Sequence, residues 1–271
     1  LELVRTIPHG SGEHSLVGVY SPVEDVIACG PKKLSLFDAD TGKRVETFVG
    51  NKKNVFALAF SPEGARLWSG AFSSTSGRGE CLWCWDRHTG ARVWSGFERE
   101  QIVSLAISSD GGILFIALSY RPPRASQIVA LDTTTFEEVW RVDVEGRPHR
   151  IEYHATQNTL RVDLGGSMGI ERVQFHNTSD GTPESSFTTR TMRSVALDES
   201  GDEPILLSLE SETIRGPHYL RAHELGSGRS SWRSDAVEIE GVGFTLAVSD
   251  TGDVFVAGLG WVAAWSREAD P

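Results

Sequence analysis

Three short patterns in this sequence carry residue types that do chemistry in other proteins. Cys81-Leu82-Trp83-Cys84 has the spacing of a redox dithiol or of half a metal site. Gly165-Gly166-Ser167-Met168-Gly169 matches the pattern around a hydrolase nucleophile. Asp38-Ala39-Asp40-Thr41-Gly42 begins like a calcium-binding loop. Whether any of them forms a site depends on the element that positions it.

The surrounding elements favour a structural role for all three patterns. Cys81 and Cys84 fall in a predicted strand, whereas a redox pair of this spacing needs a helix N-terminus, and a metal needs two further ligands nearby. The Ser167 pattern works at a strand-to-helix turn, but strands are predicted on both sides of it. The loop after Asp38 lacks the bidentate Glu of a tight calcium site, so Asp38 and Thr41 are expected to cap a turn. We therefore expect no catalytic residue, no metal and no cofactor, and a protein that is not an enzyme.

Composition and charge narrow the class of protein further. The chain has 271 residues, of which 39% are hydrophobic and 23% charged, as in ordinary globular domains. No apolar run approaches the roughly 18 residues of a membrane-spanning helix. The net charge of −11 argues against general nucleic-acid binding. Three cysteines are too few for a disulfide framework, so a reducing compartment is expected, and the predicted location is cytoplasmic.

An internal repeat is the strongest signal in the sequence. Six segments share an order of four apolar runs, with a Ser/Asp/Gly turn after the first run and an aromatic residue plus an acid near the end of the third. The third runs end, in order, at Phe37-Asp38, Trp85-Asp86, Leu131-Asp132, Phe175-His176, His223-Glu224 and Trp265-Ser266. The pattern recurs roughly every 45 residues, which is the length of a four-stranded propeller blade.

The repeat predicts an all-β fold, a six-bladed β-propeller of four-stranded antiparallel blades in a single domain over residues 1–271. The last segment has three runs, and an extra run, Glu2–Ile7, precedes the first segment. We expect this N-terminal strand to complete the last blade, so that the ring closes and the chain is a whole propeller. The predicted blades span residues 14–50, 51–98, 99–146, 147–189, 190–236, and 237–271 plus 1–8.

Several of these residues resemble known repeat families. Ser61-Pro62-Glu63-Gly64, followed by Trp85-Asp86 and Thr89-Gly90, resembles the WD repeat of WD40-like propellers. The fourth runs are also similar to the quinoprotein-like β-propeller repeat, in which a Thr-Gly turn precedes a tryptophan. The tryptophans at these places are Trp94, Trp140 and Trp232. They are expected to pack neighbouring blades together. No Gly-His dipeptide occurs, so the His-Ser-Asp-Trp network of WD repeats is not assigned here.

The resemblance implies a function as well as a fold. Propellers of the WD-repeat family serve as rigid platforms for other proteins. The chain is therefore predicted to be a non-catalytic protein–protein interaction scaffold, acting as a subunit or domain of a larger assembly. Two alternatives stay open, and both use the central channel: a lactonase-like metal-dependent hydrolase, and a sensor of a small ligand or glycan.

The distribution of charge suggests which face binds a partner. Carboxylates predominate on the predicted face formed by the links between strands one and two and between strands three and four. The opposite face is nearly balanced and carries long loops rich in arginine, which pairs with carboxylates or phosphates. We predict that this face binds an acidic or phosphorylated protein segment, although solvated loop arginines are the simpler alternative. The predicted binding residues are Arg78, Tyr120, Arg121, Arg124, Arg215 and His218.

Overall fold

The chain forms 22 β-strands and no helix in the residues that the structure, a computed structural model, describes. The described residues are 17–30, 34–49, 53–72, 79–120, 123–166, 169–198, 204–211, 218–224, 230–233, 245–248, 254–258 and 261–265. The all-β prediction is confirmed over these ranges. Within them there is also no helix long and apolar enough to cross a bilayer.

Three four-stranded antiparallel sheets come first in the chain, each with its strands in sequence order. Sheet I contains β1 (Gly18–Tyr20), β2 (Val26–Cys29), β3 (Ser35–Asp38) and β4 (Arg44–Thr47). Sheet II contains β5 (Val55–Phe60), β6 (Arg66–Ala71), β7 (Leu82–Asp86) and β8 (Arg92–Gly96). Sheet III contains β9 (Ile102–Ile107), β10 (Ile113–Leu118), β11 (Ser126–Asp132) and β12 (Glu138–Val144). The three sheets coincide with the first three predicted blades, and they fit a propeller-like fold.

The remaining strands form two more antiparallel sheets. Sheet IV has seven strands in chain order: β13 (Arg147–His154), β14 (Thr159–Gly166), β15 (Gly169–Asn177), β16 (Pro183–Asp198), β17 (Ile205–Ser211), β18 (His218–Glu224) and β19 (Ser230–Arg233). Sheet V contains β20 (Thr245–Val248), β21 (Val254–Gly258) and β22 (Trp261–Trp265). Sheet IV differs from the two separate blades predicted there, because β16 runs unbroken through the expected boundary at residue 190. Residues 185–193 contain no Gly, Pro, Asn or Asp to turn the chain.

The chain divides into two compact units. The N-terminal unit comprises Leu3–Leu164 and Phe175–Glu184, and the C-terminal unit comprises Leu1–Glu2, Gly165–Gln174 and Ser185–Pro271. The predicted closing strand, Glu2–Ile7, lies outside the described residues. The single domain, the count of six blades and the closed ring therefore stay predictions.

Apolar side chains between successive sheets form the core of the N-terminal unit. Trp68 of sheet II packs in one buried cluster with Ile102, Leu114 and Ile116 of sheet III. β10 is buried along nearly its whole length because it has apolar neighbours on both faces. Each such side chain contributes about 1.5–3 kcal/mol by leaving water. This packing holds the strand ends, and the loops they carry, in fixed positions.

Tight turns join the third and fourth strands of the sheets. Asp38 Oδ1 accepts hydrogen bonds from both the backbone N–H and the hydroxyl of Thr41, each at 2.5 Å. Asp86 Oδ1 does the same for Thr89, each at 2.9 Å. Asp38 thus caps a turn, as predicted for the calcium-like pattern.

The outer-strand tryptophans bridge neighbouring sheets, as predicted for two of them. Trp94 of β8 stacks on Phe136 in the turn after β11, with ring centroids 5.0 Å apart. Trp140 of β12 donates its indole N–H to the carbonyl of Thr178, in the turn between β15 and β16, at 2.9 Å. The side chain of Trp232 is outside the described part of the structure.

Candidate protein-interaction face

Two of the predicted binding residues meet on a carboxylate that the sequence did not single out. The Arg124 guanidinium lies 3.6 Å above the centre of the Tyr120 ring. Its Nη2 donates to both oxygens of Glu100, at 3.1 and 3.0 Å. The Tyr120 hydroxyl donates to the same carboxylate. Arg124 is therefore fixed by a ring below it and by an anion beside it.

The cluster sits where several loops of the N-terminal unit converge. Tyr120 and Arg124 belong to the loop between β10 and β11, and Glu100 belongs to the link between β8 and β9. The backbone N–H of Ser119 donates to the Gln101 carbonyl at 3.0 Å, which ties that loop to that link. Lys53, in the link between β4 and β5, donates to the Gly79 carbonyl at 2.7 Å. The loops from the predicted second face thus lie together at one end of sheets II and III.

Burial decides what Tyr120 does in this cluster. Its side chain is 4% exposed, so it supports Arg124 from beneath and leaves the surface to the arginine. Burial, together with the hydrogen bond to Glu100, raises the pKa of the Tyr120 hydroxyl far above its usual range. The hydroxyl therefore stays protonated and remains a donor to Glu100 at any physiological pH.

The arginines supply the exposed positive charge of the face. Half of the Arg124 side chain, 53%, is exposed, against 15% for Glu100. A second arginine, Arg141 of β12, pairs with Glu138 and donates to Gln127 Oε1 at 2.7 Å. The hydrogen bond to Glu138 raises the pKa of Arg141, so it stays charged. Sequence reasoning missed both Glu100 and Arg141, and the only available signal was their place in a predicted link and an outer strand.

The other predicted binding residues are described in part or not at all. Arg78, Arg121 and Arg215 lie outside the described residues. His218 begins β18, where its backbone is paired with Ser211. That Arg78 and Arg121 converge with Arg124 therefore stays a prediction, as does the binding role of Arg215 and His218.

A second cluster, in the C-terminal unit, has the residue types of a hydrolase. Ser208 Oγ lies 2.9 Å from His223 Nε2 and donates to Glu210 Oε1 at 3.0 Å. The Glu210 carboxylate also lies 3.3 Å from the same His223 nitrogen, and Arg221 Nε lies 3.0 Å from its other oxygen. The Ser208 hydroxyl is buried and hydrogen-bonded to Glu210, whereas a nucleophilic serine must present its oxygen to a substrate and give its proton to a base.

The register of the strands explains this cluster as a structural bond. In sheet II, Leu67 pairs with Trp85, and Ser69 lies two residues beyond Leu67. In sheet IV, Leu206 pairs with His223, and Ser208 lies two residues beyond Leu206. The indole N–H of Trp85 donates to Ser69 Oγ at 2.8 Å, between two buried side chains. Ser208 and His223 therefore occupy the positions of Ser69 and Trp85.

A cavity of about 500 Å³ opens beside the first strands of four sheets in the N-terminal unit. Its lining includes Leu58 of β5, Ser104 of β9, and the residues Arg150 to His154 of β13. Arg150 forms an ion pair with Glu152. Glu152 also lies 2.9 Å from Arg161 Nη1, and the buried Arg161 binds Asp163 through Nε at 3.0 Å. The polar groups of this wall are thus engaged with one another.

The remaining chemical patterns have structural explanations where they are described. All three cysteines are free of disulfides, and burial raises the pKa of Cys84 to about 12, so a thiolate at Cys84 is disfavoured. Ser167 lies outside the described residues. In the part of the chain that is described, no three His, Cys, Asp or Glu side chains are grouped so as to hold a metal ion. Within the described ranges, the geometry of these groups does not favour the hydrolase alternative.

Comparison with known proteins gives one partial match. No family model matches the chain. A stretch of 156 residues, 56% of the chain, is 26% identical to Telomerase Cajal body protein 1 of Homo sapiens. This stretch covers 26% of the human protein, so the chain corresponds to about a quarter of its length.

Proposed function

We propose that this chain is a non-catalytic protein-interaction scaffold, a six-bladed propeller that serves as a subunit or domain of a larger cytoplasmic assembly. The four-stranded antiparallel sheets support the propeller-like platform. The partial likeness to a human WD40 protein supports an interaction role. A rigid scaffold with loops at its strand ends offers binding surface at little entropic cost.

The anchored arginine of the loop face carries the proposal. Arg124 is held by the Tyr120 ring and by Glu100, and half of its side chain stays exposed. Because the guanidinium is already ordered, an incoming anion binds without first immobilising a flexible side chain. Carboxylates and phosphates are the anions whose geometry matches guanidinium donors. The proposed partner is therefore an acidic or phosphorylated protein segment, held by Arg124 together with the predicted binding residues Arg78 and Arg121 of the same unit.

Charge reversal at Arg124 tests this function. We expect Arg124→Glu to weaken binding to immobilised phosphoserine and Glu-rich peptides about tenfold or more. Arg44→Glu is the matched control, because it changes the net charge equally at an exposed position in β4. Joint reversal of Arg78, Arg121, Arg124 and Arg215 should abolish both peptide binding and the capture of partners from lysate. Unchanged binding in the joint variant would refute the loop face as the binding face.

The cavity beside β1, β5, β9 and β13 supports a second candidate function. A volume of about 500 Å³ suits a small ligand or a sugar unit. A ligand held there should raise the melting temperature of the chain by mass action. Screening sugars and small anions by thermal shift, with Arg150→Ala as the variant that disrupts the wall, distinguishes this sensor from the scaffold.

A further inference from the structure

One turn of the N-terminal unit breaks the pattern of the others. In four turns between third and fourth strands, a backbone N–H donates to the carbonyl four residues earlier. The residues that donate are Gly42, Gly90, Phe136 and Gly181. All four have left-handed backbones, with φ of 60° at Phe136 and between 66° and 75° at the glycines. Glycine adopts this conformation freely, whereas a bulky side chain is strained there. Phe136 therefore carries a backbone strain that the three glycines avoid.

Phe136 changes how the neighbouring tryptophan packs. Between sheets III and IV, Trp140 lies directly over Gly181, where a Cβ would come within 2.7 Å of the indole. Phe136 occupies the corresponding place beside Trp94, so Trp94 stacks flat on its ring, with an interplanar angle of 6°. Trp68 completes the aromatic group, 6.1 Å from both rings.

A groove of about 350 Å³ lies against this aromatic group, between sheets II and III. Phe136 supplies aromatic surface and Val93 of β8, 41% exposed, lies beside it, whereas Trp68 is 1% exposed and contributes little surface. Glu63, Arg66 and Gly111 also line the groove. Ser61, Thr133 and Thr134 make the rest of the lining polar, so the size of the groove and its Phe136–Val93 side suit one large side chain.

The charges around the groove are mostly negative. Glu63 lines it, and Asp110 and Asp132 directly precede the lining residues Gly111 and Thr133. The Ser108 hydroxyl lowers the pKa of Asp110, and the Thr135 backbone N–H lowers the pKa of Asp132, so both are ionised at neutral pH. Arg66 is the one cation among the lining residues, and Asp86 lies 4.0 Å from it. The surroundings therefore favour a cationic partner.

We propose that this groove is a docking site for a basic segment of another protein, with an aromatic or large aliphatic side chain in the groove and flanking Lys or Arg residues beside the carboxylates. Charge complementarity selects the flanking residues, and the Phe136 and Val93 side chains select the central one. An aromatic ring such as that of Phe136 also attracts cations through its face. The site belongs to the turn end of sheet III, opposite the end that carries Arg124, so it is separate from the proposed loop-face function.

Short fluorescein-labelled peptides test the proposal by fluorescence anisotropy at low ionic strength. The probe is Lys-Arg-Trp-Arg-Lys, and the controls are Lys-Arg-Gly-Arg-Lys and Glu-Asp-Trp-Asp-Glu. We expect the probe to bind about tenfold or more tightly than the glycine peptide, because the groove takes the indole. The acidic peptide should not bind. Equal affinities for the probe and the glycine peptide, binding of the acidic peptide, or no binding of the probe would each overturn the proposal.

Matched substitutions locate the binding. Val93→Lys places a cation in the groove, whereas Val139→Lys makes the same change at the corresponding exposed residue of β12, outside the groove. We expect the first to weaken probe binding about tenfold and the second to change it less than about twofold. Phe136→Gly should also weaken binding while preserving the turn, because glycine suits its backbone. Equal effects of the two lysine substitutions would overturn the assignment. Arg124→Glu should leave probe binding unchanged, which separates this site from the loop face.

Discussion

Hydrogen bonds between a buried serine and an aromatic residue occur at corresponding strand positions in sheets II and IV, but their surroundings differ. In sheet II, the Trp85 indole donates to Ser69, and the tryptophan ring packs 5.6 Å from Phe48. In sheet IV, His223 takes the place of the tryptophan, and the Ser208 hydroxyl donates a hydrogen bond to Glu210. The first bond ends at the serine, whereas the second continues into a carboxylate and on to Arg221.

The difference teaches that residue types alone do not identify an active site. Serine, histidine and glutamate within hydrogen-bond distance resemble a hydrolase, yet Ser208 and His223 hold the strand positions of Ser69 and Trp85. A tryptophan brings a large apolar ring and one donor, whereas a histidine brings a smaller ring and a need for polar neighbours. Glu210 and Arg221 meet that need. The second arrangement is therefore more polar and depends on pH.

Exchanging Trp85 and His223 for each other's residue type should give the largest change in the free energy of unfolding. Trp85→His leaves a cavity beside Phe48, so we expect a loss of about 3–5 kcal/mol in the free energy of unfolding. His223→Trp forces a larger ring into a buried site and should cost about 1–3 kcal/mol. Urea unfolding followed by circular dichroism measures both. Equal costs would show that the two sites have the same packing, against the comparison.

Removing each serine hydroxyl should give the next largest difference in stability between the two sites. Ser69→Ala leaves the buried Trp85 N–H without its acceptor, which costs about 1–3 kcal/mol. After Ser208→Ala, His223 Nε2 still lies 3.3 Å from Glu210, so we expect a smaller loss of about 1 kcal/mol. The same unfolding assay applies. A greater loss for Ser208→Ala than for Ser69→Ala would contradict the role assigned to Glu210.

The pH dependence of the free energy of unfolding should distinguish the Ser208–His223 pair from the Ser69–Trp85 pair, by a smaller amount than the substitutions above. Burial alone would raise the pKa of Glu210, but the hydrogen bonds from His223 and Ser208 and the charge of Arg221 outweigh it and lower the pKa. The unfolded chain, with a glutamate pKa of about 4.3, then binds more protons in acid. The stabilisation by Glu210 is thus present above about pH 4.3 and is lost as the pH falls.

Glu210→Gln is the variant that measures this contribution. We expect the difference in unfolding free energy between the original chain and Glu210→Gln to shrink as the pH is lowered from about 6 towards 3.5. The cost of Ser69→Ala should stay constant over the same range, since neither Ser69 nor Trp85 titrates there. A constant difference for Glu210→Gln would contradict the assigned ionisation.

The sequence predicts those features that local signals determine. The strands of sheets I to III were predictable because Ser/Asp/Gly turns separate apolar runs, and the capping by Asp38 followed from the same turn chemistry. The unbroken strand β16 was not predictable, because the repeat length predicts a blade boundary near residue 190 and the absence of turn residues there is a weak signal. Glu100 was missed because its contact with Tyr120 and Arg124 depends on how a link folds back over a loop. The Ser208–His223 bond depends on strand register, which a single degenerate repeat does not reveal.

The weakest expected effect is also the sharpest test of the comparison. Ser208 is 0% exposed and its hydroxyl donates to Glu210, so a substrate carbonyl cannot reach its oxygen. We expect Ser208→Ala to hydrolyse p-nitrophenyl acetate at the rate of the original chain, as should Ser69→Ala, the matched variant in sheet II. A rate that falls with Ser208→Ala alone would show a nucleophilic serine and would restore the hydrolase alternative. Because Ser69→Ala removes the same hydroxyl from the corresponding bond, any shared loss of rate would instead reflect unfolding.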